Sequence, residues 1–514
     1  MRRLLATIVI LTMSLAATAV RDKTGQRTIR MSDGSLLQFK HHNEMKRSLS
    51  KPSVVWDANK TYRLPVILMT FSDCDFSQDD ARTYYNRLFN EPGFNLGNGP
   101  GCVADYFRDQ SNGLFNLVFD IAGPFKVNYK SKAETDDYRN GNAEIRSALK
   151  MADEQLNFAD YAWNGNGSVP TVIVIYAGFG GNEAIEICDG RIWPNTKSLD
   201  YGTNDGVSIA TYSCSQELWS NNASSGIGSI CHEFSHVLGL PDLYPTHGDE
   251  YSVLDEWDLM DGGNYSDDGW CPPNYSIHER EFMGWQEAET LSEPQAVTQM
   301  APLGKGGKTY RIVNDAYPSE YYLLENRQRE GWDSFLPGHG LLISHVDFQQ
   351  SSWTSNTVNI TSTHHRLDCF HADGLDVNYY ISLFGDKRAR YDENGYNLRL
   401  MHTAYPYVDD NGNCHDALTD TTSPAAILYN SRSGGSMLMG KPVTDIQEDG
   451  ELISFNFCQP ASAIGNPASD VYPVAVYDLL GRRYPLMPPY PRTPSIYIIK
   501  YSDGTTIKIE RLRD

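Results

Sequence analysis

Positive charge is scarce in this chain. Its 514 residues carry 43 Lys and Arg against 65 Asp and Glu, a formal net charge of -22. A polyanion is repelled by phosphate backbones and anionic lipid, and no local basic patch offsets the surplus, so no nucleic-acid partner is expected. Cysteine is sparse too. There are nine, none before Cys74 and no two in a C-x-x-C pair. That argues against a cysteine zinc site and a thioredoxin-like motif. An odd count leaves at least one thiol free or paired between chains. No stretch is apolar for long enough to span a bilayer, so no integral membrane segment is expected. Tandem repeats and low-complexity tracts are also missing. What is present is 40% hydrophobic and 21% charged residues, a balance that can bury a core. The length predicts two to four domains.

Arg2 and Arg3 precede an uncharged apolar run at 4–15, and Ala17-Thr18-Ala19 follows. Basic, apolar and small-residue regions in that order predict a secretory signal peptide at 1–19. Its removal deepens the acidic surplus and implies a secreted or cell-surface chain, where disulfides can persist. Residues 20–58 are polar and read as a short pro-segment or N-terminal arm. Apolar runs at 64–71 and 169–177 predict buried strands, and 143–156 has helical periodicity. Strands mixed with helices predict an α/β (α+β) catalytic core over 59–290. Residues 291–460 break into short strand-like pieces between Gly, Pro, Asn and Asp turns, and predict a β-rich continuation of that region. In 465–514, Val474 and Val476 alternate, Leu479-Leu480-Gly481 turns, and Asp503-Gly504 follows a β-rich run at 496–500. This predicts a small C-terminal β-sandwich.

The most specific pattern is His232-Glu233-Phe234-Ser235-His236. Ile227, Ile230, Phe234, Val237 and Leu238 fall on one helical face, suited to a core. His232 and His236 are four apart and project from one flank, where two neutral imidazoles can take adjacent corners of a tetrahedral Zn²⁺ site. Glu233 lies beside them and can accept a proton from water activated by the metal. Gly239 can take the left-handed conformation that ends a helix, and Pro241 prevents its resumption. The chain then presents Asp242, whose carboxylate is an acceptable third ligand. A later carboxylate such as Glu256 is the alternative, with Asp242 then supporting it. Met260, before Gly262-Gly263, follows as an apolar side chain ahead of a glycine turn.

These residues resemble the metzincin arrangement, with Asp242 where the third ligand stands and Met260 where the Met-turn forms a floor under the metal. The likeness extends along the chain. Val103-Ala104-Asp105-Tyr106-Phe107-Arg108-Asp109-Gln110-Ser111-Asn112-Gly113, Ile192-Trp193-Pro194, the 272–285 segment, Glu325-Asn326-Arg327, Trp332-Asp333 and the 337–347 segment occur in order. Together they resemble secreted metallopeptidases of the immune inhibitor A family over residues 60–460. The resemblance implies a metzincin-like zinc endopeptidase acting on protein or peptide substrates, with one catalytic Zn²⁺, ligands His232, His236 and Asp242, and Glu233 as general base. A calcium loop is also implied. Here the stretch 160–170 keeps its Gly turns but has lost most carboxylates, so Ca²⁺, which needs several such oxygens, is not expected there. The pro-segment has no Cys to hold the zinc latent. The last module, through Val476-Tyr477-Asp478-Leu479-Leu480-Gly481-Arg482-Arg483 and residues 496–500, resembles the sorting domain of the bacterial type IX secretion system, which implies that machinery as a partner.

Other residues carry weaker signals. His364, His365, His371 and Asp373 match no metal template and read as a polar loop. His345 and Asp347 share one side of a strand, as a second cation site or, the preferred reading, a satisfied hydrogen-bonding pair. Cys231 reads as a buried free thiol, leaving eight cysteines for pairing. Tyr265 is the candidate second donor to an oxyanion. Two other functions remain open from sequence: a catalytically inactive surface adhesin that keeps the peptidase shell, and a zinc-dependent esterase or glycan-active hydrolase.

Overall fold

A computed structural model describes residues 27–40, 54–134, 139–163, 167–247, 252–375, 391–392, 396–459, 473–478, 482–484, 495–501 and 506–511. The signal segment at 1–19, the loop residues 164–166 and the turns at 479–481 and 503–504 lie outside them.

Part of the expected pro-segment is a two-stranded antiparallel hairpin, β1 (Arg27–Arg30) with β2 (Leu36–Phe39). It docks on the rest of the chain. Gln38 accepts from the Ala184 amide at 2.6 Å, Phe39 packs on Trp219 and Tyr265, and Ser32 donates to Asp268 from its amide at 2.8 Å.

The runs at 64–71 and 169–177 become the centre of a five-stranded sheet. Its strands are β3 (Thr61–Thr70), β4 (Asn116–Lys126), β5 (Ser168–Phe179), β6 (Asn195–Gly202) and β7 (Ser208–Leu218), in the order β4-β3-β5-β7-β6. All are parallel except β6, the antiparallel edge. Parallel strands buried on both faces need continuous apolar sequence, which is what these two runs supply. Alternation along β3 divides the core. Leu64, Val66 and Leu68 join one apolar cluster, and Ile67 and Met69 the other.

The first cluster takes α1 (Ala81–Asn90), capped by Asp80, α2 (Val103–Gln110) and α4 (Gly228–Val237). The second takes α3 (Asn142–Ala152). That helix ends four residues before the periodicity predicts, because Leu156 still packs into the same cluster after the helix has stopped.

Beyond α5 (Ile277–Met283) the regular elements are mostly short strands separated by turns and irregular chain. The elements are β8 (Glu289–Thr290), β9 (Gln295–Met300), β10 (Tyr310–Val313), β11 (Glu320–Arg327), β12 (Gly340–Asp347), α6 (Gln350–Thr354) and β13 (Leu367–Cys369). After these come β14 (Tyr407–Val408), β15 (Cys414–His415), β16 (Val443–Asp449) and β17 (Leu452–Phe457). A five-stranded sheet runs β13-β12-β11-β10-β8, and β16-β17-β9 form a three-stranded one. Residues of β11, β12 and α6 share the apolar cluster that contains α4: Leu323, Leu342, Val346 and Trp353 pack with Phe234, Leu238 and Met260. The sequence change near residue 290 is therefore not a break in the core. The last strands, β18 (Pro473–Asp478), β19 (Arg483–Tyr484), β20 (Ser495–Tyr501) and β21 (Thr506–Arg511), form one antiparallel sheet. The expected sandwich is represented among the described residues by this single layer.

All nine cysteines are unpaired thiols, which corrects the expectation that eight were available for pairing. Cys231 is fully buried, as its helical position predicts. Most of the others are buried, and burial lifts the thiols of Cys102 and Cys188 to about 12. Among the described residues no helix is long and apolar enough to cross a membrane.

Two buried histidines set an acid limit on the fold. Burial lowers His278 to about 3, with Arg311 adding to the effect, and its Nε2 accepts from the Trp353 indole at 3.0 Å. Burial lowers His371 to about 4. In the unfolded chain both titrate near 6.5. The unfolded state thus binds more protons below that pH, and stability present above about 6.5 is lost as pH falls toward 4. Thermal unfolding followed from pH 7 to 4 is expected to show a falling midpoint, with a shallower fall in His278→Gln. A midpoint independent of pH over this range would contradict the assignment.

Candidate metal centre

Helix α4 can lie close beneath its neighbours because Gly228 has no side chain: a Cβ there would sit 1.9 Å from the Asn264 carbonyl oxygen. Ile227, Ile230, Phe234 and Leu238 are buried as the periodicity predicts, and Val237 is half-buried against the same cluster. The helix ends at Val237, and Gly239 follows with φ +96°, a conformation that a side chain would strain. The chain turns back and brings Asp242 under the two histidines.

His232, His236 and Asp242 offer ligand atoms that all lie within 4.8 Å of one another, and all three residues are buried. Asp242 Oδ1 is 3.1 Å from His232 Nε2 and 3.1 Å from His236 Nε2. The far ring nitrogens are both fixed by main chain. His232 Nδ1 faces the Leu259 carbonyl at 2.9 Å and His236 Nδ1 the Leu240 carbonyl at 2.8 Å. A carbonyl oxygen only accepts, so each Nδ1 carries a proton, and in the neutral ring each Nε2 is left with a lone pair directed at the carboxylate side. His236 Nε2 has no hydrogen-bond partner although fully buried. Three lone-pair donors aimed at one point repel unless a cation lies among them. Burial by itself would lower the His232 imidazole, but the adjacent Asp242 carboxylate prevails and lifts it to about 9, so in the absence of a metal this carboxylate draws a proton to His232 Nε2, the place a bound cation would take. Two imidazoles and a carboxylate, each oriented from behind, fit a divalent metal with borderline N/O preference.

Glu233 is buried on the same helix. Its Oε2 is 3.0 Å from Thr196 Oγ1 of the edge strand β6, and its carbonyl receives Thr196 Oγ1 at 2.6 Å and Ser213 Oγ at 3.2 Å. Between them the two hydroxyls have protons for both the carbonyl and the carboxylate.

Met260 is fully buried and joins Phe234, Leu238, Leu240 and Leu243 in one cluster. Its carbonyl accepts from the Leu243 amide at 2.8 Å, next to Asp242, and its neighbour Leu259 holds His232. The turn is wound on carboxylates: Asp258 accepts from the Met260 amide at 2.7 Å, and Asp261 from the amides of Val253, Leu254 and Asp255.

The other sequence candidates separate. His232, His236 and Asp242 are the one group of three or more such ligands among the described residues, and Glu256, on a short turn at Asp255–Trp257, is outside it. Tyr265 packs on Phe39 and Trp219 at ring distances of 4.3 and 5.8 Å, in the hairpin's docking site. The tyrosine ring stacked on His232 is Tyr244, at 6.4 Å and 15°. His345 and Asp347 do not pair with each other. His345 contacts Glu320 at 2.8 Å, and Asp347 contacts His364 at 2.7 Å and Arg366 at 3.1 Å. His365 pairs with Asp368 and His371 with Thr403, so the His364–Asp373 stretch is a set of separate hydrogen bonds.

Two contributors carry no motif of their own. Thr196 lies just past Ile192-Trp193-Pro194, which marks the neighbourhood but not the residue. Asn356 donates from Nδ2 to Asp242 Oδ2 at 2.6 Å and accepts from the Asp242 amide at 2.6 Å.

Residues 54–287 match the family model for the immune inhibitor A peptidase M6 catalytic domain. The pre-pro-metalloprotease PrtV of Vibrio cholerae is 23% identical over 301 residues, covering 48% of this chain and 31% of that protein. Immune inhibitor A of Bacillus thuringiensis subsp. alesti is 24% identical over 252 residues, covering 40% of this chain and 36% of that protein. The similarity thus spans about a third of the length of these relatives. The matched model describes a peptidase domain, and PrtV is named a metalloprotease. The matched segment contains His232, Glu233, His236, Asp242 and Met260, and ends before Asn356.

Proposed function

We propose that this protein is a secreted zinc-dependent endopeptidase that hydrolyses peptide bonds in proteins. The observation that carries the reading is the convergence of His232 Nε2, His236 Nε2 and Asp242 Oδ1 on one buried point, with Glu233 beside it on the same helix. Three protein ligands of this kind leave a coordination position open, the arrangement of catalytic rather than structural zinc. When bound, the ion supplies a Lewis acid that polarises a peptide carbonyl and acidifies water.

The chain's own residues do the rest. Leu259 and Leu240 carbonyls fix the ring planes and tautomers of the two histidines. Glu233 takes the proton of the attacking water and passes it to the leaving amine. The Thr196 hydroxyl holds the Glu233 carboxylate at a fixed place beside the substrate path. Thr196→Val, which keeps the shape and removes the donor, is expected to lower kcat about 10-fold with little change in KM, the scale of one lost hydrogen bond to a charged group. Steady-state kinetics on a peptide substrate measure this, and an unchanged kcat would remove Thr196 from the site.

The reading as a secreted protein is supported by the signal-like N-terminal sequence, and it takes the C-terminal module that includes β18–β21 as the part offered to bacterial secretion machinery. Zinc stoichiometry, combined with cleavage of an unfolded protein with and without chelator, tests the central reading. One zinc per chain and chelator-sensitive cleavage support it. Bound zinc with ester or glycan turnover but no proteolysis would replace it with another hydrolase, and no turnover at all would favour an adhesin.

A further inference from the structure

Asp242 and the segment that grips it are far apart in sequence. Asn356 follows α6, is 1% exposed, and has φ +57°, a left-handed conformation that asparagine adopts more readily than most residues. Its position is rigid. Trp353, one turn earlier, is buried and donates to His278 at 3.0 Å, and the Asn356 carbonyl accepts from Thr246 Oγ1 at 2.7 Å. Asn359 fastens the same two segments by donating to the Leu243 and Leu367 carbonyls, both at 2.8 Å, without a hydrogen bond to Asp242.

The Asn356 amide matches Asp242 at both ends. Its oxygen accepts from the Asp242 amide and its nitrogen donates to Oδ2, while Oδ1 remains 3.1 Å from both imidazoles. The two carboxylate oxygens are therefore assigned different tasks by one side chain. We propose that Asn356 is a positioning residue that makes Asp242 a one-oxygen metal ligand, so that the metal centre is completed by chain lying beyond the catalytic-domain match. This rests on the metal-site reading above and deepens it. A carboxylate free to swing would offer both oxygens to the ion and fill the position that water needs. A neutral amide prevents this without adding charge. Aspartate at 356 would keep the acceptor for the Asp242 amide, lose the donor to Oδ2, and place a second carboxylate against the first.

The experiment uses the full chain and its Asn356→Ala, Asn356→Asp and Asn359→Ala variants. Zinc affinity is measured by competition with a chromophoric chelator, coordination by the visible absorption of the cobalt-substituted proteins, and folding by thermal unfolding of the metal-free chains. Both Asn356 variants are expected to lose 10- to 100-fold in zinc affinity, the range for residues that orient metal ligands. Their cobalt bands are expected to weaken as coordination number rises. Asn359→Ala is expected to stay within about 3-fold of the parent, although it loosens the same segments. Parent-like affinity and cobalt spectra in both Asn356 variants would overturn the proposal, as would an equal loss of affinity in Asn359→Ala, which would make the effect one of general packing. If the parent chain itself takes up no stoichiometric zinc, the metal-site reading fails and this inference fails with it.

Discussion

Glu233→Gln is expected to keep one zinc per chain and to lose turnover of an unfolded protein substrate by about 10²–10⁴-fold, the contribution of a positioned general base. The substitution is nearly isosteric and leaves the ligand set of His232, His236 and Asp242 untouched. The amide can still meet the Thr196 hydroxyl, so the helix and the edge strand remain in register. What disappears is a basic site for the water proton, since an amide oxygen is too weakly basic to hold it and an amide nitrogen already donates. The pairing of measurements matters. Retained zinc with lost turnover assigns Glu233 to proton transfer. Loss of both would make it part of the metal's support, and proteolysis at the parent rate would remove it from the mechanism.

Arg327→Met is expected to cost about 3–5 kcal/mol of stability, as when one partner is removed from a buried ion pair. Arg327 is fully buried at the end of β11. Its Nη1 donates to Glu325 at 3.0 Å, its Nε and Nη2 to Asp333 at 2.8 Å each, and Nη2 also reaches the Asn274 carbonyl at 3.2 Å. Burial opposes its charge, yet the flanking Asp333 and Glu325 keep it firmly protonated. Glu325 in turn accepts from the Ile277 amide at 2.7 Å, the first residue of α5. Methionine would fill much of the volume but strand two carboxylates in the core. Lysine would not rescue, because a single ammonium cannot reproduce the guanidinium fork. Denaturant unfolding measures the loss, and a change below about 1 kcal/mol would show the network to be dispensable.

Local regularities were legible in the sequence. The i, i+4 spacing of His232 and His236 puts two imidazoles on one flank of any helix, and Gly239 marks where that helix must end. The continuous apolar runs in β3 and β5 identify strands covered on both faces. These inferences hold because helical and strand periodicities depend only on neighbours along the chain. The readings that changed all depended on distant partners. The cysteines could be counted, but only the tertiary structure shows that none is bonded to another. His345 and Asp347 lie on the same side of a strand, yet their partners come from Glu320, His364 and Arg366. Tyr265 sits in the right stretch for an oxyanion donor, but the N-terminal hairpin claims its ring.

By itself, then, the sequence determined the helix that carries the His232–His236 pair, the glutamate beside it, the central strands and the acidic, cysteine-poor character of the chain. Tertiary structure alone brought Asp242, and not Glu256, within reach of both His232 and His236. It also decided that Thr196 reaches Glu233, and that Asn356 grips Asp242 from 114 residues away. The physical reason is the same in each case. A side chain's direction follows from its own backbone, whereas its hydrogen-bond partner follows from which surfaces share a core, and here one apolar cluster joins chain on both sides of residue 290.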